Sequence, residues 1–445
     1  MERVVIMGAA GRDFHDFNMV FRDDPATNVV AFTRTGGQNL GELGDGPLRR
    51  YPPTLAGEGY DDGIPIVPED DLESVIREQG VDEVVFSYSD VSHEDVMHQA
   101  ARALAAGTDF RLIGPDRMML SADVPVVAID AVRTGCGKSQ AARALTDLLR
   151  DRGHRPVVVR EPMPYGDLEA QAVVRFETLD DLDRHEVTFE EREEFEHHIE
   201  REHVVYAGVD YEAILDRAEA EADVIVWDGG NNELPFYRPD LHFVLADPHR
   251  AGDELVYHPG ETNLRIADVV VINKENTADP SAIETVERNV RSRNPTAEIV
   301  HADSVVSVAD AALVEGARVL AVEDGPTVTH GGAPHGAATI AAEQFGAAEI
   351  VDPEPVAEGS IRSVFEKYTH LGPVLPAMGY SEDQIADLET TINRVDCDVV
   401  LVGTPFDLGR VIDIDKPTVR VTYEIVAKEP TFEMILDRYA DRLSG

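Results

Sequence analysis

Cysteine, tryptophan and basic side chains are all scarce in this chain of 445 residues. The two cysteines, Cys136 and Cys397, form no CxxC pair, so neither a disulfide framework nor a thiolate zinc site is supported. No apolar run reaches the ~18 residues needed to span a bilayer. The chain opens Met1-Glu2-Arg3 and runs directly into Val4-Val5-Ile6-Met7, without the successive regions of a signal peptide. A cytoplasmic protein is the expectation. Lys and Arg number 39 against 85 Asp plus Glu, a formal charge of −46. Such a field repels nucleic acid and anionic membranes, because affinity for both comes from basic side chains. Acidity of this degree often means disorder. Here 43% of residues are apolar and the acids are spread through the chain, so a packed core is expected. Carboxylates over the whole surface suit a salt-rich cytosol, as in a halophilic archaeon.

What is present is a regular alternation. Short β-branched runs recur between helix-length segments: Val4–Met7, Val29–Thr33, Glu83–Ser87, Val126–Ile129, Pro156–Arg160, Val224–Trp227, His242–Ala246, Val269–Ile272, Val319–Val322, Val399–Val402 and Thr418–Thr422. Runs of this kind, bounded by Gly, Pro or Asp, mark a parallel sheet covered on both faces. The fold class is α/β. The expected architecture is a P-loop NTPase core at 123–324, preceded by a Rossmann-like domain at 1–122 and followed by a smaller α/β region at 325–445. The stretch Glu177–His203, crowded with glutamate, reads as a solvated helical excursion from the central domain.

The densest chemistry follows the strand Val126–Ile129. There Asp130-Ala131-Val132-Arg133-Thr134-Gly135-Cys136-Gly137-Lys138-Ser139 leads into a helix through Ala141, Leu145 and Leu149. This is a phosphate-binding loop in the right context of strand, loop and helix, with Val132 in place of the first consensus glycine. Backbone N–H groups from Thr134 through Gln140, at a helix N-terminus, would face one anion. Lys138 would lie along the outer phosphates and the Ser139 hydroxyl would bind Mg²⁺. A second apolar strand ends in Trp227-Asp228-Gly229-Gly230-Asn231-Asn232, where Asp228 suits the metal shell. A third is followed by Asn273-Lys274-Glu275-Asn276, one residue away from the guanine-reading pattern Asn-Lys-x-Asp. Asn273 and Lys274 are therefore candidates for base contact, with ATP and GTP both open.

Strand ends converge where ligands bind in open α/β sheets. Arg160, in Arg160-Glu161-Pro162-Met163-Pro164-Tyr165-Gly166-Asp167, and His249 and Arg250, after Asp247-Pro248, are rare cations at such ends. They suit a small phosphorylated anionic substrate, or they pair with local carboxylates. Three further features are weaker. Gly8-Ala9-Ala10-Gly11 lacks the full GxGxxG pattern and an acid to hold a ribose, so a phosphate subsite is an alternative to NAD there. Thr329-His330-Gly331-Gly332-Ala333-Pro334-His335-Gly336 before a helix suits a second anion subsite or a plain loop. His197, His198 and His203 lie among glutamates and read as part of a solvated helix rather than a metal site.

The combination of the 131–140 loop, Arg160–Asp167, Trp227–Asn232 and Asn273-Lys274 resembles an archaeal family described as predicted GTPases or cyclic 2,3-diphosphoglycerate synthetases. Arg12-Asp13-Phe14-His15, Phe86–His93 and Gly372–Tyr380 extend that resemblance over nearly the whole chain. It implies ATP-driven closure of a phosphoanhydride on 2,3-bisphosphoglycerate with Mg²⁺, potassium being a further candidate ion and a homodimer a candidate assembly. Lys138, Ser139 and Asp228 carry over as nucleotide and metal residues, and Arg160 joins Lys138 and Asp228 as a candidate for the chemical step. The leading expectation is a Mg²⁺-dependent phosphotransferase or ligase. A switch GTPase and a nucleotide-gated metabolite-binding protein are the alternatives.

Overall fold

A computed structural model describes residues 1–35, 49–161, 167–185, 187–230, 233–329, 333–379 and 381–443. The readings made on Pro162–Gly166, Asn231, Asn232, His330–Gly332 and Tyr380 lie outside the described residues.

The chain divides into two compact units. The first comprises Met1–Glu177, His203–His301 and Ala427–Gly445, and the second comprises Thr178–Glu202 and Ala302–Val426. Among the described residues the first unit holds a two-stranded ribbon and strands of two larger sheets. One runs, edge to edge, Arg50–Tyr51, Ile64–Pro68, Thr27–Arg34, Glu2–Met7, Glu83–Phe86, Asp109–Leu112, parallel throughout except at the Arg50–Tyr51 edge. The other carries the phosphate-loop strand, Val126–Ala131, between Val224–Asp228 and Leu241–Ala246, all three parallel. Pro156–Arg160 and Val204–Ala207 extend it on one side and Val269–Ile272 on the other. Its central strands are buried along their length and mostly apolar, with Asp130, Asp228 and His242 as the exceptions, because a sheet covered on both faces has no need of the alternation of a half-exposed strand.

Both sheets of this unit share one core. The cluster containing Val4, Ile6 and Phe14 also contains Val126, Tyr211, Trp227, Phe236 and Tyr237. At the seam the imidazole of His15 stacks on Phe236 with ring centroids 4.2 Å apart, and its Nε2 bonds the Met118 carbonyl at 2.7 Å. Burial lowers its pKa to about 3, so the ring is neutral and packs as an aromatic. Val91–Ser92 pairs antiparallel with Tyr257–His258, a second link between the two sheets' loops.

The second unit centres on Arg318–Asp324, paired in parallel with Val399–Gly403, Val374–Ala377 and Glu349–Ile350. It also contains most of the 177–203 stretch, and there the expectation is corrected. The helix Phe189–Ile199 is not a solvated excursion: Phe195, Glu196 and His198 are at most 1% exposed. Its carboxylates are absorbed by local partners. Glu196 pairs with Arg192 at 3.2 Å and accepts from the Asp407 amide at 3.1 Å, while Glu191 closes a capping box with Thr188. His203 falls in the first unit, bonded to Asp147 at 3.0 Å. No group of three metal-ligating side chains occurs among the described residues. Among those residues no helix is long and apolar enough to cross a membrane.

Candidate active site

The phosphate loop is a turn between the strand Val126–Ala131 and the helix Lys138–Asp151. Gly135 and Gly137 have φ of +83° and +100°, the left-handed region that favours glycine. A Cβ on Gly137 would collide with the Asn273 amide nitrogen. Three side chains from neighbouring strand ends brace the loop by its carbonyls. Asn273 Nδ2 donates to Cys136 O at 3.0 Å, Lys274 Nζ to Gly135 O at 2.6 Å, and Arg250 Nη2 to Thr134 O at 2.7 Å. Asp247 ties two of these braces together, 2.8 Å from Lys274 and 3.5 Å from Arg250, and those cations hold its pKa down against burial. With three of its carbonyls taken by these side chains, the loop has little freedom to turn a carbonyl oxygen toward an anion.

Lys138 begins the helix and reaches the end of the neighbouring strand. Its Nζ lies 2.6 Å from Asp228 Oδ1 and also bonds the Gly229 carbonyl. Arg160, at the end of the next strand, lies 2.8 Å from the other oxygen, Asp228 Oδ2, and 3.3 Å from Gly229 O. Asp228 has 0% exposure and is bonded by a cation on each oxygen. Burial, then the nearby Arg160 charge, lowers the Lys138 pKa to about 8. Directly beneath, Asp130 accepts from His242 Nε2 at 2.8 Å and Trp227 Nε1 at 3.3 Å, which fixes the strand that launches the loop. Ser139 sits half-buried in the helix's first turn. The glycine turn, the buried carboxylate and the two cations on it suit a nucleoside triphosphate.

The structure thus brings Lys138, Arg160 and Asp228 together. Asn273, Lys274 and Arg250 lie on the loop's carbonyl side. His249 bonds Thr277 Oγ1 at 2.9 Å. The other two anion subsites are corrected, because the protein's own carboxylates fill them. At Gly8–Gly11 the Asp13 carboxylate accepts from the amides of Ala10, Gly11 and Phe14 at 2.8 to 3.2 Å. Before the helix Ala337–Gln344 the buried Glu323 accepts from Gly336, Ala338 and Thr339 amides at 2.8 to 3.0 Å.

Sequence reasoning passed over a second cluster beside Lys138. Glu161 packs between Gly11 and Gly230, where a Cβ on either glycine would strike its carboxylate. Glu233 is 6% exposed and accepts from Ser89 Oγ at 2.9 Å. Desolvation and the neighbouring acids push Glu161 and Asp13 up to about 7 and Glu233 well above its ordinary value. Glu233 carried no signal of its own, since one more acid among 85 does not stand out.

Strand, glycine cradle, lysine and buried aspartate define the class: the chain is an enzyme built on a P-loop nucleotide site. No family model matches the sequence. It is 56% identical over 440 residues to the arginine synthetase ArcE of Thermococcus kodakarensis, spanning 99% of this chain and 97% of that one, and it belongs to that family of synthetases. It is also 26% identical over 315 residues to the cyclic 2,3-diphosphoglycerate synthetase of Rubrobacter xylanophilus, spanning 61% of this chain and 67% of that one. The crystal structure of LpxK from Aquifex aeolicus in complex with ATP superposes with a TM-score of 0.45 at 14% identity, over 84% of this chain and 99% of that one, too loosely to bear on function.

Proposed function

We propose that this enzyme is an ATP- and Mg²⁺-dependent ligase that forms arginine. The observation that carries the reading is the 56% identity with an arginine synthetase across 99% of the chain. The site geometry supports the ATP half. Making a guanidinium with ATP means activating a ureido oxygen. The terminal P–O bond of ATP breaks, the phosphoryl group moves to that oxygen, and an amine nitrogen then displaces phosphate as the C–N bond forms. Such transfer needs positioning and charge neutralisation more than covalent participation by the protein. Lys138 and Arg160 neutralise the charge spreading over the transferred group, and Asp228 fixes both cations beforehand, so little reorganisation remains for the reaction itself. Mg²⁺, held by Ser139 and Asp228, would supply further neutralisation of the phosphate oxygens. The braces from Asn273, Lys274 and Arg250 keep the loop carbonyls away from the anion.

The Rubrobacter relative favours a second reading, in which the acceptor is a phosphorylated acid and the product a cyclic phosphoanhydride. One experiment separates them. The full chain is incubated in molar KCl, the solvent its acidic surface suits, with ATP and Mg²⁺ and either citrulline plus ammonium or 2,3-bisphosphoglycerate. Arginine, ADP and phosphate in the first mixture are the expected products. ADP and a new anhydride phosphorus resonance in the second mixture alone would replace the arginine reading.

A further inference from the structure

The second cluster beside Lys138 has too many carboxylates for its cations. Asp13, Asp16, Glu161, Glu233 and Asp228 are five acids, and the basic side chains whose charge reaches them are Arg12, Arg111, Arg160 and Lys138, with Arg111 acting on Asp16 and itself paired with Glu83 at 3.0 Å. Lys138 and Arg160 are both held by Asp228, and Arg12 stands 3.6 Å from Asp16. Glu161 and Glu233 therefore lie side by side, joined by a side-chain hydrogen bond, and the cations nearest them are already engaged by Asp228 and Asp16. Glu233 Oε2 and Asp16 Oδ1 have no hydrogen-bond partner among the described residues, although Glu233 is only 6% exposed and Asp16 0%. Orphaned acceptors of this kind are costly unless a donor completes them. The site is also built to keep its acids in place: Gly11 and Gly230 clear room for the Glu161 carboxylate from opposite sides, and Ser89 fixes Glu233. No three of these side chains converge as metal ligands would among the described residues.

We propose that Glu161 and Glu233, backed by Asp13, form the subsite for an organic nitrogen cation, a guanidinium or ammonium, next to the phosphate-binding lysine. The planar, multiply donating guanidinium matches two adjacent carboxylates better than a compact ion does. Glu161 feels the charge of Lys138 and Arg160, so the cation sits beside the place where phosphate is transferred. Burial, then the neighbouring acids, raises these carboxyls; a bound cation favours their charged forms and gives Glu233 Oε2 its missing donor. The identity of the ligand rests on the arginine-forming reading; the charge of the subsite does not.

The test is calorimetric titration of the full-length protein with L-arginine, methylguanidinium chloride and ADP, with sodium chloride as the ionic control. In wild type L-arginine binds. Glu233→Gln and Glu161→Gln each weaken it by at least about tenfold, while ADP affinity stays within about threefold, which also shows that the variants fold. If arginine binds wild type and both variants alike, the subsite is overturned and the arginine reading stands. If methylguanidinium binds wild type but not Glu233→Gln, and arginine binds neither, the subsite stands and the arginine reading falls. If no nitrogen cation binds wild type, both fall.

Discussion

The first unit contains two turns of the same plan, a buried strand, a glycine-bearing turn and a helix, and they have opposite fates. At Gly8–Gly11 the helix start is closed from within, because Asp13 accepts from three amides of its own turn. At 132–138 the nearest carboxylate, Asp228, comes from a neighbouring strand and takes the lysine side chain instead of the loop amides. A carboxyl acceptor already tethered in the chain leaves a helix N-terminus little to offer a ligand; a carboxylate that occupies the lysine side chain does not claim the loop amides. Glu323 repeats the closed arrangement in the second unit. Glycine and a helix start are therefore insufficient to identify a phosphate site. What distinguishes the loop at 132–138 is that Asn273, Lys274 and Arg250 hold its carbonyls.

Two substitutions press on this contrast. The larger effect is expected from Lys138→Ala, which removes the only side chain that joins the loop to Asp228 in the described contacts. Steady-state ATP turnover should fall at least about 100-fold, the scale on which one preorganised electrostatic donor acts, with little change in melting temperature. Retained turnover would mean that the open turn is not the nucleotide site. Asp13→Ala should do the reverse. It strands buried amides at the closed turn, which costs about 2 kcal/mol and lowers the melting temperature by a few degrees, without creating a second phosphate site. Equilibrium dialysis with labelled ATP checks the last point: a rise from one bound nucleotide to two would show that the first turn is a suppressed nucleotide site.

Much of this was legible in the sequence, and the reason is burial. The central strands are buried and so read as runs rich in β-branched residues, unbroken in Val269–Ile272 and interrupted by alanine and Asp130 in Val126–Ala131. Two of the strands that escaped notice carry polar or irregular residues: Glu298–Val308 contains His301, Asp303 and Ser304, and Val374–Ala377 contains Pro376, whereas Val204–Ala207 is apolar and was passed over beside a stretch dominated by its acids. The P-loop was legible because its residue types are demanded in order by a phosphate. Acidic residues were not legible in the same way. Asp13, Glu323, Glu196 and Glu233 are all buried, and each has a different structural situation, yet in a chain with 85 acids none differs in sequence from a solvated one. Pairing in three dimensions decides which carboxylate is a cap, which is a packed ion pair and which is a candidate ligand group.

The smallest effect sharpens the comparison through pH. Burial raises the Asp13 pKa from 3.8 to about 7, outweighing the three amides that favour its charged form. A carboxyl raised in this way holds its proton more tightly folded than unfolded. Its contribution to stability is complete below about pH 4 and disappears as pH climbs through 7. Lys138 has the opposite sign: its pKa is lowered to about 8, so between pH 8 and 10.5 the unfolded chain binds the extra proton and stability rises with pH. Asp13→Asn keeps an acceptor at the closed turn but cannot titrate. The difference in melting temperature between wild type and Asp13→Asn should therefore favour wild type most at pH 5 and shrink by about 2 °C by pH 8. A difference that grows over the same interval would mean that Asp13 works as a charged cap, held ionised by its amides, and that the closed turn carries a full negative charge at neutral pH.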